Sequence, residues 1–85
     1  MITIEEVNAV RNHFNEDMEG FATLLGIDPN YQYMIEKGRM PVTKAYFLRI
    51  KYLFVCTHGA EILASGDKPW QVDRTITNTI RSIAA

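Results

Sequence analysis

Apolar residues recur along this chain at intervals of three and four, the spacing that lines one face of an α-helix, and nowhere alternate with the period of a strand. The pattern predicts an all-α protein. Ile4, Val7, Val10 and Phe14 mark a first helix over about residues 3 to 14, opened by Thr3 and Glu6 at capping-box spacing. Asp17 is placed to cap a second helix, with Met18, Phe21, Ala22 and Leu25 facing inward and Gly26 ending it. Gly20 inside that helix is locally unfavourable, and marks either close packing or a weak helix. Asp28-Pro29 opens a third helix reaching roughly residue 37, since aspartate accepts from the exposed first-turn amides and proline suits the first helical position.

Beyond the loop Gly38-Arg39-Met40-Pro41, Thr43 can cap a long apolar helix in which Ala45, Phe47, Ile50, Leu53 and Phe54 form the expected central strut of the core. Gly59 and residues 65 to 69 then interrupt the pattern, with Ala60 to Ala64 read as a short helix or a continuation. From Trp70 onward, Val72, Ile76, Ile80 and Ile83 lie on one face of a final amphipathic helix. That stripe either folds back onto its own core or meets a second copy. A homodimer is the expectation, with Trp70, Val72, Ile76, Ile80 and Ile83 as its dimerisation residues and Trp70 anchoring the segment against the fourth helix. The whole is expected to be one globular domain of five to six helices, residues 1–58 forming a core unit and 59–85 a C-terminal helical extension.

Composition changes this picture little. With 85 residues, 47% of them hydrophobic and 22% charged, the chain has the make-up of an ordinary small globular domain. Its longest apolar run, residues 52 to 56, is far too short to span a bilayer, and the early acids do not fit a signal peptide, so a cytoplasmic location is expected. The lone Cys56 cannot form an internal disulfide, and the apolar helix around it is expected to bury it. Enzyme chemistry finds no foothold. His13 and His58 lie far apart on or beside apolar helices, Cys56-Thr57-His58 offers two metal ligands where a structural zinc site needs four, and there is no phosphate-cradling glycine loop. Neither catalysis, nor a cofactor, nor a metal is expected.

Charge distribution says more than the net charge of -1. Residues 1 to 36 carry seven acids against Arg11 alone, whereas residues 37 to 60 carry Lys37, Arg39, Lys44, Arg49 and Lys51 and no acid. A block of this kind makes one surface positive on a nearly neutral molecule, and phosphate attraction follows the local field.

Two short amphipathic segments joined by a glycine turn suit a helix-turn-helix. Arg11, then Phe21-Ala22 with Leu25-Gly26-Ile27, then Ile35-Glu36-Lys37-Gly38 with Pro41-Val42, and Leu48-Arg49-Ile50 with Leu53 resemble the Cro and lambda-repressor type of helix-turn-helix, the xenobiotic-response-element family. The resemblance covers about residues 4 to 55. It implies that Gly26 is the turn glycine, that Ala22 is the small residue between the paired helices, and that the recognition helix begins after Asp28. Base contacts would then fall on Pro29, Asn30, Tyr31, Tyr33 and Met34, and sugar-phosphate contacts on Lys37, Arg39 and Lys44. Arginine, the commonest guanine reader, is missing from the reading set, which points to an adenine and thymine preference or to reading of DNA shape.

Three positions depart from the family pattern: Glu16 at the entry to the second helix, Gly20 within it, and Gln32 at a normally buried aliphatic position. Gln32 matters most. Either its amide is hydrogen-bonded in the core, or the third helix is rotated so that Tyr31 packs inward. The resemblance implies a homodimeric transcriptional repressor of the phage, plasmid or mobile-element kind, acting by occupancy of double-stranded DNA and possibly on its own gene. Two other readings use a protein partner: an inhibitor or adaptor with Tyr31, Tyr33 and Met34 as an aromatic patch, and an antitoxin-like protein docking through its last helix.

Overall fold

The computed structural model describes residues 2–64, 66 and 68–85. Five α-helices and one 3-10 turn account for the regular structure among them: α1 Ile4–His13, α2 Met18–Leu25, α3 Pro29–Glu36, α4 Lys44–Ala64, the 3-10 turn Pro69–Gln71, and α5 Val72–Ala84. The all-helical expectation holds.

Local chemistry sets each boundary. Thr3 Oγ1 accepts from the Glu6 amide at 3.1 Å while Glu6 Oε1 accepts from the Thr3 amide at 2.8 Å, a reciprocal capping box that starts α1. Asp17 accepts from the Gly20 amide at 2.7 Å to open α2, and a Cβ on Gly20 would run into the Glu16 carboxylate. That crowding gives Gly20 a reason beyond helix propensity. Gly26, at φ 71, closes α2 in the left-handed region that glycine enters without a Cβ penalty. Asp28 accepts from the Asn30 amide at 2.7 Å with Pro29 in the first turn of α3, and Thr43 Oγ1 accepts from Tyr46 at 3.1 Å to start α4.

Helix α4 is interrupted by a kink at His58, whose φ of -123 and ψ of 20 are not helical, and helical structure resumes beyond it. The expected 58/59 boundary falls on that kink, and residues 60 to 64 belong to the helical segment beyond it.

One core joins these elements. Val7 and Val10 from α1, Phe21 and Leu25 from α2, Ile35 from α3, Tyr46, Phe47, Ile50 and Phe54 from α4, and Ile76 and Ile80 from α5 form a single buried cluster. Two expectations are corrected here. Ala45 is exposed and Tyr46 takes an inward position in its place, while Phe47, Ile50 and Phe54 are buried and Leu53 partly buried as anticipated. The α5 stripe also folds back in cis: Ile76 is 1% exposed and Ile80 0%, packed along α1 and against α4, with Val72 and Ile83 partly buried at its edges. Both isoleucines gain more from completing the core of so short a chain than from waiting for a partner, because small domains bury little surface to begin with. Trp70 does not anchor this segment on α4, for its side chain lies 78% exposed in the 3-10 turn.

Candidate nucleic-acid interface

The α2–α3 pair is built around a turn of three residues, Gly26, Ile27 and Asp28. The Ile27 amide donates to the Ala22 carbonyl at 3.0 Å, and Ala22 is fully buried.

A polar network fixes how α3 is rotated. Gln32 is fully buried; its Nε2 donates to Glu36 Oε2 at 2.6 Å, and its Oε1 accepts from the Tyr46 hydroxyl at 2.6 Å. Glu36 in turn receives Arg11, whose Nε lies 3.1 Å from both carboxylate oxygens and whose second terminal nitrogen lies 3.1 Å from Oε1. The remaining arm of Arg11 donates to the Glu16 carbonyl at 3.1 Å, tying α1 to the entry of α2. Every member of this chain has a partner, which is the condition under which buried polar groups stabilise a core. Burial pushes the Tyr46 phenol well above its ordinary pKa, with the Gln32 hydrogen bond opposing in part, so the hydroxyl stays protonated and able to donate.

Both alternatives posed by Gln32 are thus realised together. The amide is hydrogen-bonded in the core, and Tyr31 is also half-buried, its ring edge-on to Tyr46 at 6.1 Å. Of the five anticipated base-contact residues, Pro29, Asn30 and Tyr33 stand exposed, whereas Tyr31 and Met34 are half-buried. Asn30 Nδ2 lies 3.7 Å from the Met34 sulfur, a weak contact that leaves its amide free to turn outward.

Tyr33 gathers the basic residues. Lys37 Nζ sits 5.6 Å and the Arg39 guanidinium 5.9 Å from the centre of its ring, both within cation–π range. The Arg39 backbone is held by its amide donating to the Met34 carbonyl at 2.8 Å. The exposed Tyr33 ring thus draws two cations together beside the last turn of α3 and concentrates positive charge there. Lys44 opens α4 beside a groove of about 300 Å³ with Phe47 as its apolar member and Arg74 and Arg81 on the α5 side. Asp73 in that groove is paired with Lys51 at 2.7 Å, and Arg81 lies 3.9 Å from the Glu6 carboxylate. Sequence reasoning passed over Arg74, for nothing in one dimension places α5 beside the start of α4.

Other candidate chemistry fares differently. His13 and His58, distant in sequence, come together with ring centres 6.1 Å apart in an aromatic cluster with Phe14 and Phe54. Among the described residues no group of three His, Cys, Asp or Glu side chains could hold a metal ion. Cys56 is exposed, contrary to the expected burial, because it lies on the outer side of α4. No helix among the described residues is long and apolar enough to cross a membrane. Compared with family models, curated proteins and solved structures, the chain finds no match.

Proposed function

We propose that this protein is a sequence-specific DNA-binding transcriptional regulator of the helix-turn-helix type, which represses by occupying an operator in double-stranded DNA. The observation that carries the reading is the outer surface of α3: Asn30 and Tyr33 exposed, Lys37 and Arg39 gathered on the Tyr33 ring, and the opposite face locked to α1 and α4 through Gln32 and Glu36. A rigidly held helix with a polar reading edge and flanking cations suits the major groove. Asn30 would read adenine, Tyr33 would reach a base or phosphate, and Lys37, Arg39 and Lys44 would hold the backbone. Tyr31 and Met34 become supporting residues that shape the edge, a narrower reading set than the sequence suggested.

Selection of bound sequences from random duplex DNA tests this directly, followed by gel shifts on the recovered site. Arg39→Glu should weaken binding to all sequences and lower the slope of log affinity against log salt by more than about 1. Asn30→Ala should weaken the selected site by about 1 to 3 kcal/mol while leaving random DNA unchanged. Recovery of no consensus, or equal affinity of wild type and both variants, would overturn the assignment.

A further inference from the structure

We infer that the groove between the start of α4 and the polar edge of α5 takes phosphate groups of the DNA backbone through Lys44 and Arg74. The inference rests on the DNA-binding reading and extends it to the last helix, which lies beyond the residues that carry the resemblance.

Helical periodicity builds one wall of the groove. Arg74, Asn78 and Arg81 recur at four and then three residues and so share a face of α5, while Ile76 and Ile80 turn into the core. Lys44 and Phe47 of α4 line the same groove. Two carboxylates adjoin it, and each already has a cation. Asp73 pairs with Lys51 at 2.7 Å, and Glu6 lies 3.9 Å from Arg81 while its other oxygen accepts from the Thr3 amide at 2.8 Å. Among the described residues, neither Lys44 nor Arg74 has a carboxylate within ion-pair distance. Two cations on one groove repel each other in the free protein, and an anion bound between them turns that repulsion into attraction.

Position and length select a DNA strand over a small free anion. A Cβ on Gly38 would lie 3.6 Å from Ile4 Cδ1, so the turn that carries Lys37 and Arg39 sits against the first turn of α1. Glu6, which Arg81 approaches, belongs to that same first turn. The start of α1 therefore adjoins both basic clusters, and the groove continues the surface on which Lys37 and Arg39 would hold phosphates. Along α5 the cations are spread out, since seven residues from Arg74 to Arg81 span about 10 Å at a helical rise of about 1.5 Å each. Charges spaced in this way suit successive phosphates of one strand better than a single ion.

Fluorescence anisotropy of the full chain with random-sequence duplex DNA, repeated across a salt series, tests the proposal. Arg74→Ala should weaken binding at least several-fold near about 0.1 M salt and lower the slope of log affinity against log salt by about 1. Lys44→Ala should do the same, and the two together should lower the slope by about 2. Arg74→Lys should keep the wild-type slope, because a phosphate contact of this kind needs the charge more than the guanidinium plane. Arg74 and Lys44 are exposed, so melting temperature and far-UV circular dichroism should not change. Lys68→Ala, at an exposed cation that does not line the groove, serves as the control and should leave the slope as it is. A wild-type slope in Arg74→Ala, an equal loss in Lys68→Ala, or an Arg74→Ala effect confined to one DNA sequence would overturn the proposal. Inorganic phosphate that shifts the groove's amide resonances, with DNA binding of Arg74→Ala unchanged, would assign the groove to a free anion and overturn it as well. A wild type that binds random DNA but selects no consensus ends the operator reading and leaves the Arg74 comparison standing. A selected consensus with a wild-type slope in Arg74→Ala ends this inference alone, and a wild type that binds no duplex DNA ends both.

Discussion

Replacing Gln32 with leucine puts the buried network to a quantitative test. By size and hydropathy leucine is the better core residue, and full burial of such a side chain is worth about 1.5 to 3 kcal/mol. The geometry argues that this gain is outweighed. Gln32→Leu leaves the Tyr46 hydroxyl, 1% exposed as a residue, with no acceptor, at a cost of about 1 to 3 kcal/mol. It also removes one donor from Glu36, whose side chain is only 5% exposed, and hydrogen bonds to charged groups are worth about 1.5 to 3 kcal/mol. The expected net loss is about 1 to 3 kcal/mol, or roughly 4 to 8 °C in melting temperature per kcal/mol for a domain of this size. Adding Tyr46→Phe removes the stranded hydroxyl, so the double variant should be more stable than the two single losses added together by about 1 to 2 kcal/mol. Urea unfolding of the four proteins of this cycle measures the coupling. If Gln32→Leu alone stabilises the fold, or if the two effects simply add, the network contributes nothing and the rotation of α3 has another cause.

Because burial raises the Tyr46 pKa in the folded state, the stability it confers is fully present below the unfolded value of about 10 and is lost as pH rises beyond it, by up to about 1.4 kcal/mol per unit. Tyr46→Phe should lack that part of the alkaline decline, which parallel urea midpoints against pH will show. Gly26→Ala should destabilise by about 1 to 2 kcal/mol, since φ of 71 is strained for any residue with a Cβ even though the nearest neighbour, Arg49, leaves ordinary contact distance. An unchanged melting temperature would contradict the left-handed turn. Ile80→Ala should cost about 2 to 5 kcal/mol by opening a cavity in the core, and the loss should be the same at every protein concentration, whereas a stripe used for pairing would make it concentration-dependent.

The caps and breaks of this chain are local matters, and for that reason the sequence determined them. Thr3 with Glu6, Asp17, Gly26, Asp28-Pro29 and Thr43 act on amides within four residues of themselves, so the bounds of α1, α2 and α3 and the start of α4 could be placed without knowledge of the fold. Periodicity likewise identified most of the core, because a buried face must repeat with the helix.

What only the tertiary structure decided was which of two competing uses each ambiguous residue takes. Whether Gln32 was a defect or a partner depended on Tyr46, fourteen residues away, and on a carboxylate anchored by Arg11, twenty-five residues before it. The ingredients were visible, since Gln32 and Glu36 share a helix face and Arg11 is the one base of the first thirty-six residues. Their meeting was not, because ion pairs between helices leave no period in a sequence. An amphipathic stripe, similarly, states that it will be covered and not by what: α5 found α1 and α4, while the overlooked outer face of α4 was left in the open. Hydrophobicity is a property of residues, but the identity of the surface that satisfies it belongs to the packed molecule.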